Sequence, residues 1–145
     1  MKLPWGADTI DVDLPPEWSV AGVFEPNPLP PAADPDEAVR QALCSPIGSP
    51  ELVELARRAG KVAIVVDDLS RPTPARLLMT HIVAELEAAG LPRSAITVVT
   101  ALGTHRAMSQ DDLARKIGRE WADTLAWENH NYADAARHTV LGTTR

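Results

Sequence analysis

The 145-residue sequence lacks the features that mark several large classes of protein. It contains a single cysteine, Cys44, so no disulfide can form within the chain and a reducing compartment is expected. No apolar run approaches the roughly 20 residues of a membrane span, and no basic stretch followed by an apolar segment marks a signal peptide. We therefore expect a cytoplasmic protein with no membrane partner. Cys44 is expected to be a small buried residue near a helix end, because a free cysteine usually packs in the core.

The charge balance excludes a further class of partner. The formal net charge of −6 lacks the basic excess that nonspecific nucleic-acid binding needs, so no nucleic-acid partner is expected. A small anionic ligand remains compatible with this net charge, because one arginine in a pocket outweighs distant surface charge.

Aromatic residues make up only 4% of the chain, so aliphatic side chains must fill the core. The tryptophans are expected in a core or at a domain contact: Trp5, Trp18, Trp121 and Trp127.

Proline separates the first part of the chain from the rest. Residues 1–33 are rich in proline, and the alternation of polar and apolar residues over 9–14 predicts a half-buried strand within an otherwise extended segment. Residues 34–145 are predicted to form an α/β portion. This portion ends without a clear closing element, so we expect it to be incomplete at its C-terminus.

Apolar runs and helix-capping residues alternate through residues 34–145. The continuous runs at 62–66 and 96–100 are typical of strands buried on both faces, and residues 124–127 are a candidate third strand. Capping signals start amphipathic stretches near Asp34, Ser49, Thr73 and Ser109. This order predicts a Rossmann-like, three-layer α/β fold with a parallel sheet and right-handed crossover helices.

Charged and turn-forming residues follow the first apolar run directly. Residues 67–74 read Asp-Asp-Leu-Ser-Arg-Pro-Thr-Pro. Arg71 offers a planar fork of donors suited to a carboxylate or a phosphate. The two prolines have no N–H, so this turn cannot cradle a phosphate as a glycine-rich loop does, and its rigidity suits holding Asp68 and Arg71 at fixed positions. The chain has no dinucleotide-binding fingerprint and no P-loop.

A second polar cluster follows the next run, where residues 101–106 read Ala-Leu-Gly-Thr-His-Arg. His105 is a natural general acid/base, and Arg106 is placed to orient an anion. Parallel strands deliver both clusters to one sheet edge, where open α/β sheets bind ligands. His130, after the candidate third strand, is a weaker candidate for the same edge. The alternative is an ordinary turn with an exposed ion pair and a surface histidine. No metal site is predicted, because no two histidines have the spacing of metal ligands.

Both clusters resemble motifs of the nickel-dependent lactate racemase family, in its N-terminal region. The family carries an Asp-x-[Thr/Ser]-Arg-Pro-x-Pro turn after a buried strand, which matches residues 68–74. It carries Gly-x-His-Arg after the next strand, which matches residues 103–106. The likeness extends over nearly the whole chain from about residue 5. It implies an isomerase, a racemase or epimerase of 2-hydroxy acids.

The resemblance also implies a cofactor and roles for individual residues. The cofactor is a nickel pyridinium-bisthiocarboxylate mononucleotide, the nickel-pincer nucleotide, which takes a hydride from C2 of a 2-hydroxy acid and returns it to the other face. His105 would be one acid/base, and Arg71 a catalytic residue near the substrate anion. The cofactor would be lined by Asp68, Leu69, Ser70 and Arg71.

Several parts that the family needs fall later than this sequence extends. They are the lysine that attaches the cofactor, a second acid/base histidine and a histidine that binds nickel. The resemblance therefore implies the remainder of an enzyme as partner, and a segment that alone cannot racemise. The alternative is a catalytically inactive small-anion or nucleotide-binding module of the same fold. A weaker third hypothesis is a small-anion-binding enzyme of another class that uses Asp68, Arg71 and His105.

Overall fold

The computed structural model describes residues 1–6 and 8–143, and the chain divides into two compact units. In the first unit, residues 1–31, strands β1 (Lys2–Trp5) and β2 (Asp8–Asp11) form an antiparallel hairpin. The strand predicted at 9–14 is thus shorter than expected, begins one residue earlier, and is exposed rather than half-buried. Its partner β1 escaped prediction because it is only four residues long and contains a proline, which is tolerated in an edge strand. The division into domains at residues 1–33 and 34–145 stays a prediction.

Three parallel strands form the centre of the second unit, which spans residues 32–145. They are β3 (Val62–Asp67), β4 (Ile96–Ala101) and β5 (Ala126–Asn129), in the order β3-β4-β5. The predicted α/β class with a parallel sheet is therefore confirmed. The third strand begins two residues later than predicted, because residue 124 belongs to a helix.

Five α-helices lie in the described part of this unit, and only two of them begin at the predicted capping residues, Asp34 and Ser109. They are α1 (Pro35–Cys44), α2 (Leu52–Ala56), α3 (Ala75–Ala88), α4 (Gln110–Ile117) and α5 (Arg119–Thr124). Ser109 and Asp112 form the capping box expected at the start of α4. Gly118 ends α4 as expected, with φ of +98°, but α5 starts at the next residue without a side-chain cap. That missing cap is why α5 gave no signal in the sequence.

The core lies on one face of the sheet. Ile96, Val98 and Thr100 of β4 are fully buried there, against apolar side chains of α3 and α4. On the opposite face of β3, Val65 is 66% exposed. The described residues thus supply a buried helical layer on one face, where a three-layer arrangement needs two. The prediction that this strand is buried on both faces is wrong, because a run of valines contains no polar residue to mark an open face.

Cys44 differs from expectation in its burial. It is the last residue of α1, as predicted, but it is exposed. The half-buried side of α1 carries Val39 and Leu43, and Cys44 lies beside that side rather than on it. Trp5 and Trp18 are also exposed rather than part of a core, whereas Trp121 is buried. Within the described residues, every helix is too short or too polar to cross a membrane.

Because the two faces of the sheet differ in burial, the same Val→Ala substitution should lower the free energy of unfolding by different amounts on each face. Val98→Ala, at a fully buried position, should lower the free energy of unfolding by about 2 kcal/mol, since two methyl groups leave a packed core. Val65→Ala is the matched control and should change it by less than about 0.5 kcal/mol. Urea denaturation followed by circular dichroism measures both. Equal losses would contradict the one-sided core.

Candidate functional site

Two loops leave adjacent strands at the same edge of the sheet. The register of β3 and β4 pairs Val66 with Thr100 and Asp67 with Ala101. The next residues, Asp68 and Leu102, therefore begin their loops side by side. This is the carboxyl edge of a parallel sheet, where ligands of open α/β folds bind.

The first loop is a tight turn built on the side chain of Asp68. Its Oδ1 accepts a hydrogen bond of 2.7 Å from the backbone N–H of Ser70, and its backbone oxygen accepts one of 3.2 Å from the N–H of Arg71. Such an Asx turn closes the backbone through the carboxylate itself. Asp68 is only 7% exposed, so the second oxygen, Oδ2, must find its partner nearby.

The second loop turns sharply so that His105 points back to the first. The N–H of Leu102 donates to the oxygen of Thr100 at 3.1 Å, and the N–H of His105 donates to the oxygen of Leu102 at 3.0 Å. Gly103 lies between them with φ of +57°. A Cβ at this position would meet nothing within 4 Å, so glycine is needed for its backbone conformation rather than for space.

The two loops meet at a hydrogen bond between Asp68 and His105. The Nδ1 atom of His105 lies 2.6 Å from Oδ2 of Asp68. Hydrogen bonding by Ser70 is the largest cause that lowers the pKa of Asp68; together with the contact to His105 it outweighs burial and brings this pKa to about 2. An ionised carboxylate only accepts hydrogen bonds, so Nδ1 of His105 carries the proton. In the neutral ring, Nε2 is then left as the basic nitrogen.

A cleft of about 380 Å³ lies beside this pair. Half of the His105 side chain is exposed, so its ring is accessible from solvent. The cleft is lined by Asp68, Leu69, Ser70, His105, Arg106 and Met108. It combines a hydrogen-bonded carboxylate and imidazole with apolar surface, which is the usual composition of a small-molecule site.

Arg106 is committed to a buried carboxylate. Its guanidinium donates to Oδ2 of Asp112 at 2.8 Å, and Asp112 also accepts from Arg115 and from the N–H of Ser109. The hydrogen bond from Arg106 is the largest of the causes that hold the pKa of Asp112 well below its usual range. The anion-orienting role expected for Arg106 therefore competes with this ion pair and stays a prediction.

Arg71 is not among the residues that line the cleft, unlike the three residues before it in the motif. Its side chain is exposed, and no described residue makes an ion pair or hydrogen bond with its guanidinium. Its backbone oxygen, by contrast, accepts a hydrogen bond of 3.0 Å from Nζ of Lys116. The structure thus brings together Asp68, Leu69, Ser70 and His105, while the catalytic role of Arg71 stays a prediction.

Lys116 is a site residue that the sequence analysis missed. Only 4% of its side chain is exposed, and its Nζ lies 2.6 Å from Oδ1 of Asp67. The other oxygen of Asp67 accepts a hydrogen bond of 2.5 Å from the hydroxyl of Thr73. Burial alone would raise the pKa of Asp67, but the bonds from Lys116 and Thr73 outweigh it and lower that pKa. A lysine in a helix is normally read as exposed, so no signal distinguished this one.

Asn129 is a second residue that was missed. Its Oδ1 accepts from the Thr100 hydroxyl at 2.7 Å and from the N–H of Met108 at 3.1 Å, and its Nδ2 donates to the Met108 oxygen at 2.9 Å. These hydrogen bonds connect the end of the second loop, at Met108, to strands β4 and β5 of the sheet. The next residue, His130, does not line the cleft; its Nε2 lies 3.2 Å from Nε2 of His138.

The chain matches a known protein family over most of its length. Residues 5–145 match the family described as the lactate racemase N-terminal domain. A lactate racemase of Lactiplantibacillus plantarum is 32% identical over 106 residues, which are 73% of this chain and 25% of the relative. A lactate racemase of Thermoanaerobacterium thermosaccharolyticum is 24% identical over 149 residues, 99% of this chain and 34% of the relative.

A solved structure shares the fold. The structure of the lactate racemase apoprotein from Thermoanaerobacterium thermosaccharolyticum superposes with a TM-score of 0.75 at 24% identity, over 98% of this chain and 32% of that chain. At 24% identity, this structural similarity supports a shared fold and nothing more specific. The chain spans about a third or less of the length of the curated relatives it matches.

The lowered pKa of Asp68 predicts how stability depends on pH. Because the folded pKa of about 2 lies below the ordinary 3.8, the stabilisation from this carboxylate is present above about pH 4 and is lost as the pH falls towards 2. Asp68→Asn should therefore be less stable than the wild type above pH 4, and the difference should shrink as the pH approaches 2. Urea denaturation between pH 2 and 7 measures it.

The control for this series is Glu17→Gln, at an exposed carboxylate in the first unit. Its stability relative to the wild type should vary little over the same pH range. An Asp68 carboxyl carbon that titrates near 4 by NMR would contradict the hydrogen-bonded turn.

Proposed function

Since this chain belongs to the family of lactate racemase N-terminal domains, we propose that it forms one wall of the active site of an enzyme that interconverts the stereoisomers of a 2-hydroxy acid. The observation that carries the proposal is the hydrogen bond between Asp68 and His105 at the edge of the cleft. Lactate is the substrate in the names of the two curated relatives.

His105 is the acid/base in this proposal. Inverting C2 through a 2-keto acid requires that the hydroxyl proton be removed and later returned. With Nδ1–H donated to Asp68, the Nε2 atom of His105 accepts that proton from a substrate in the cleft and gives it back. The Asp68 carboxylate holds the ring in this tautomer and stabilises the imidazolium that forms, as the aspartate does in a serine protease triad.

The composition of the cleft lining supports contact with the nickel-pincer nucleotide that the motif resemblance implies. Leu69 and Met108 supply apolar surface for a planar ring, and Ser70 supplies a hydroxyl. Among the described residues, no group of three His, Cys, Asp or Glu side chains is placed to hold a metal ion. We therefore propose that Asp68, Leu69 and Ser70 contact the cofactor, while its nickel ligand and its attachment come from the remainder of the enzyme. When bound, the cofactor supplies the hydride acceptor that no side chain provides.

Arg71 is proposed to bind the carboxylate of the substrate. Its exposed guanidinium has no partner among the described residues, and it leaves the same rigid turn that holds Asp68. The planar fork of an arginine binds a carboxylate with two parallel hydrogen bonds. A 2-hydroxy acid bound in this way is held by its carboxylate while its hydroxyl faces a base.

Removing the imidazole tests the proposal. His105→Gln, in the product of the whole coding sequence that contains this chain, should reduce the racemisation rate by about 10²- to 10⁴-fold, the usual worth of a positioned acid/base. Chiral chromatography of lactate measures the rate. His138→Gln, at an exposed histidine away from the cleft, is the matched control and should leave it unchanged.

Other results point to the alternative functions. NMR titration of the His105 ring with lactate, phosphate and a mononucleotide identifies the ligand class. Racemisation that survives His105→Gln would contradict the acid/base role of this residue. Shifts with phosphate or the nucleotide but not with lactate, together with no racemisation by the wild type, would contradict the racemase proposal. That combination would favour the anion- or nucleotide-binding module.

A further inference from the structure

Helix α4 carries two buried charges on one side. Asp112 and Lys116 are four residues apart, so they lie one above the other on the helix. Asp112 is 3% exposed and Lys116 is 6% exposed. Buried charges are costly unless they are paired and hydrogen-bonded. Lys116 pairs with Asp67, the last residue before the first loop. Asp112 pairs with Arg106 of the second loop, as well as with Arg115 of its own helix.

Lys116 holds the first loop at both ends. Its Nζ contacts Oδ1 of Asp67, where the loop begins, and donates to the backbone oxygen of Arg71, where the turn closes. The hydroxyl of Thr73 donates to the second oxygen of Asp67. Asp68 lies between these anchored points, so the position of its carboxylate depends on them.

Asp112 holds the end of the second loop. It accepts from the guanidinium of Arg106, the residue directly after His105, and from the N–H of Ser109. The path of the chain through His105 is therefore bounded by the Leu102 turn on one side and by Asp112 on the other. The helix that supplies Asp112 is the one that supplies Lys116.

We propose that Lys116 and Asp112 are positioning residues that set the contact between Asp68 and His105. Neither lines the cleft; each acts through a residue next to the pair or through its backbone. One rigid helix thus holds the two loops in register across the sheet edge. The catalytic consequence rests on the proposed function, whereas the geometric claim stands on the hydrogen bonds alone.

The test reads the tautomer of His105 in the chain itself. Two-bond proton–nitrogen NMR spectra at alkaline pH report the ratio of the Nδ1–H to the Nε2–H form, and the wild type should show mainly Nδ1–H. Lys116→Met should lower this ratio roughly tenfold, as expected when about 1.4 kcal/mol of orienting energy is lost. The double variant Asp67→Asn/Lys116→Met leaves no lone buried charge, keeps the fold by circular dichroism, and should show the same fall in the ratio.

Asp111→Asn is the control, because the same helix carries Asp111 in an exposed pair with Arg119. Its tautomer ratio should equal that of the wild type. A folded double variant with the wild-type ratio would overturn the proposal, since the loops would then hold the pair without Lys116. Asp112→Asn should lower the ratio as well, and an unchanged ratio there would limit the positioning role to Lys116 and contradict the claim for Asp112.

The result separates this inference from the proposed function. If the whole-length protein does not racemise lactate but the tautomer ratio of His105 in this chain depends on Lys116, the proposed function is contradicted and the positioning role is supported. Racemisation with an unchanged ratio in every folded variant supports the function and overturns the positioning role.

Discussion

The hydrogen bond of 2.6 Å between Asp68 and His105 is the interaction on which the rest of the site depends. It joins residues 37 positions apart in the sequence, and each side chain is positioned by a different local backbone structure. The Asx turn at Ser70 directs one oxygen of Asp68 inward and keeps the carboxylate ionised. The left-handed conformation at Gly103 returns the second loop towards it. The parallel register of β3 and β4 brings the two loops to the same level.

The carboxylate determines what the histidine can do. Because an ionised Asp68 can only accept, it assigns the proton of the ring to Nδ1 and leaves Nε2 as the base. A histidine without this neighbour would distribute its proton over both nitrogens. The family membership and the fold are established by comparison, while the activity, the cofactor and the substrate are proposals that the site geometry supports.

Much of this arrangement is readable from local patterns. The runs at 62–66 and 96–100 and the caps at Asp34 and Ser109 predict the elements, and the rule that parallel strands end at one edge predicts that Asp68 and His105 meet. The two motifs predict the family, which the comparisons confirm. These signals suffice because each depends on residues that are close in the sequence or on a general property of sheets.

The remaining features depend on packing between distant residues. A valine has the same chemistry on either face of β3, so the exposed side of Val65 left no trace in the sequence. Lys116 is buried where its ammonium group contacts Asp67, at the end of β3, and the backbone of the turn that follows. The same turn leaves the guanidinium of Arg71 outside the cleft lining, although the motif lists it beside Asp68.

Neutron diffraction from crystals of the chain at alkaline pD would locate the exchangeable hydrogens on both Asp68 and His105. We expect a deuteron on Nδ1 of His105 directed at Asp68, a bare carboxylate, and an unprotonated Nε2 accessible from the cleft. A deuteron on Nε2 with Nδ1 bare, or a deuteron carried by Asp68, would contradict this expectation.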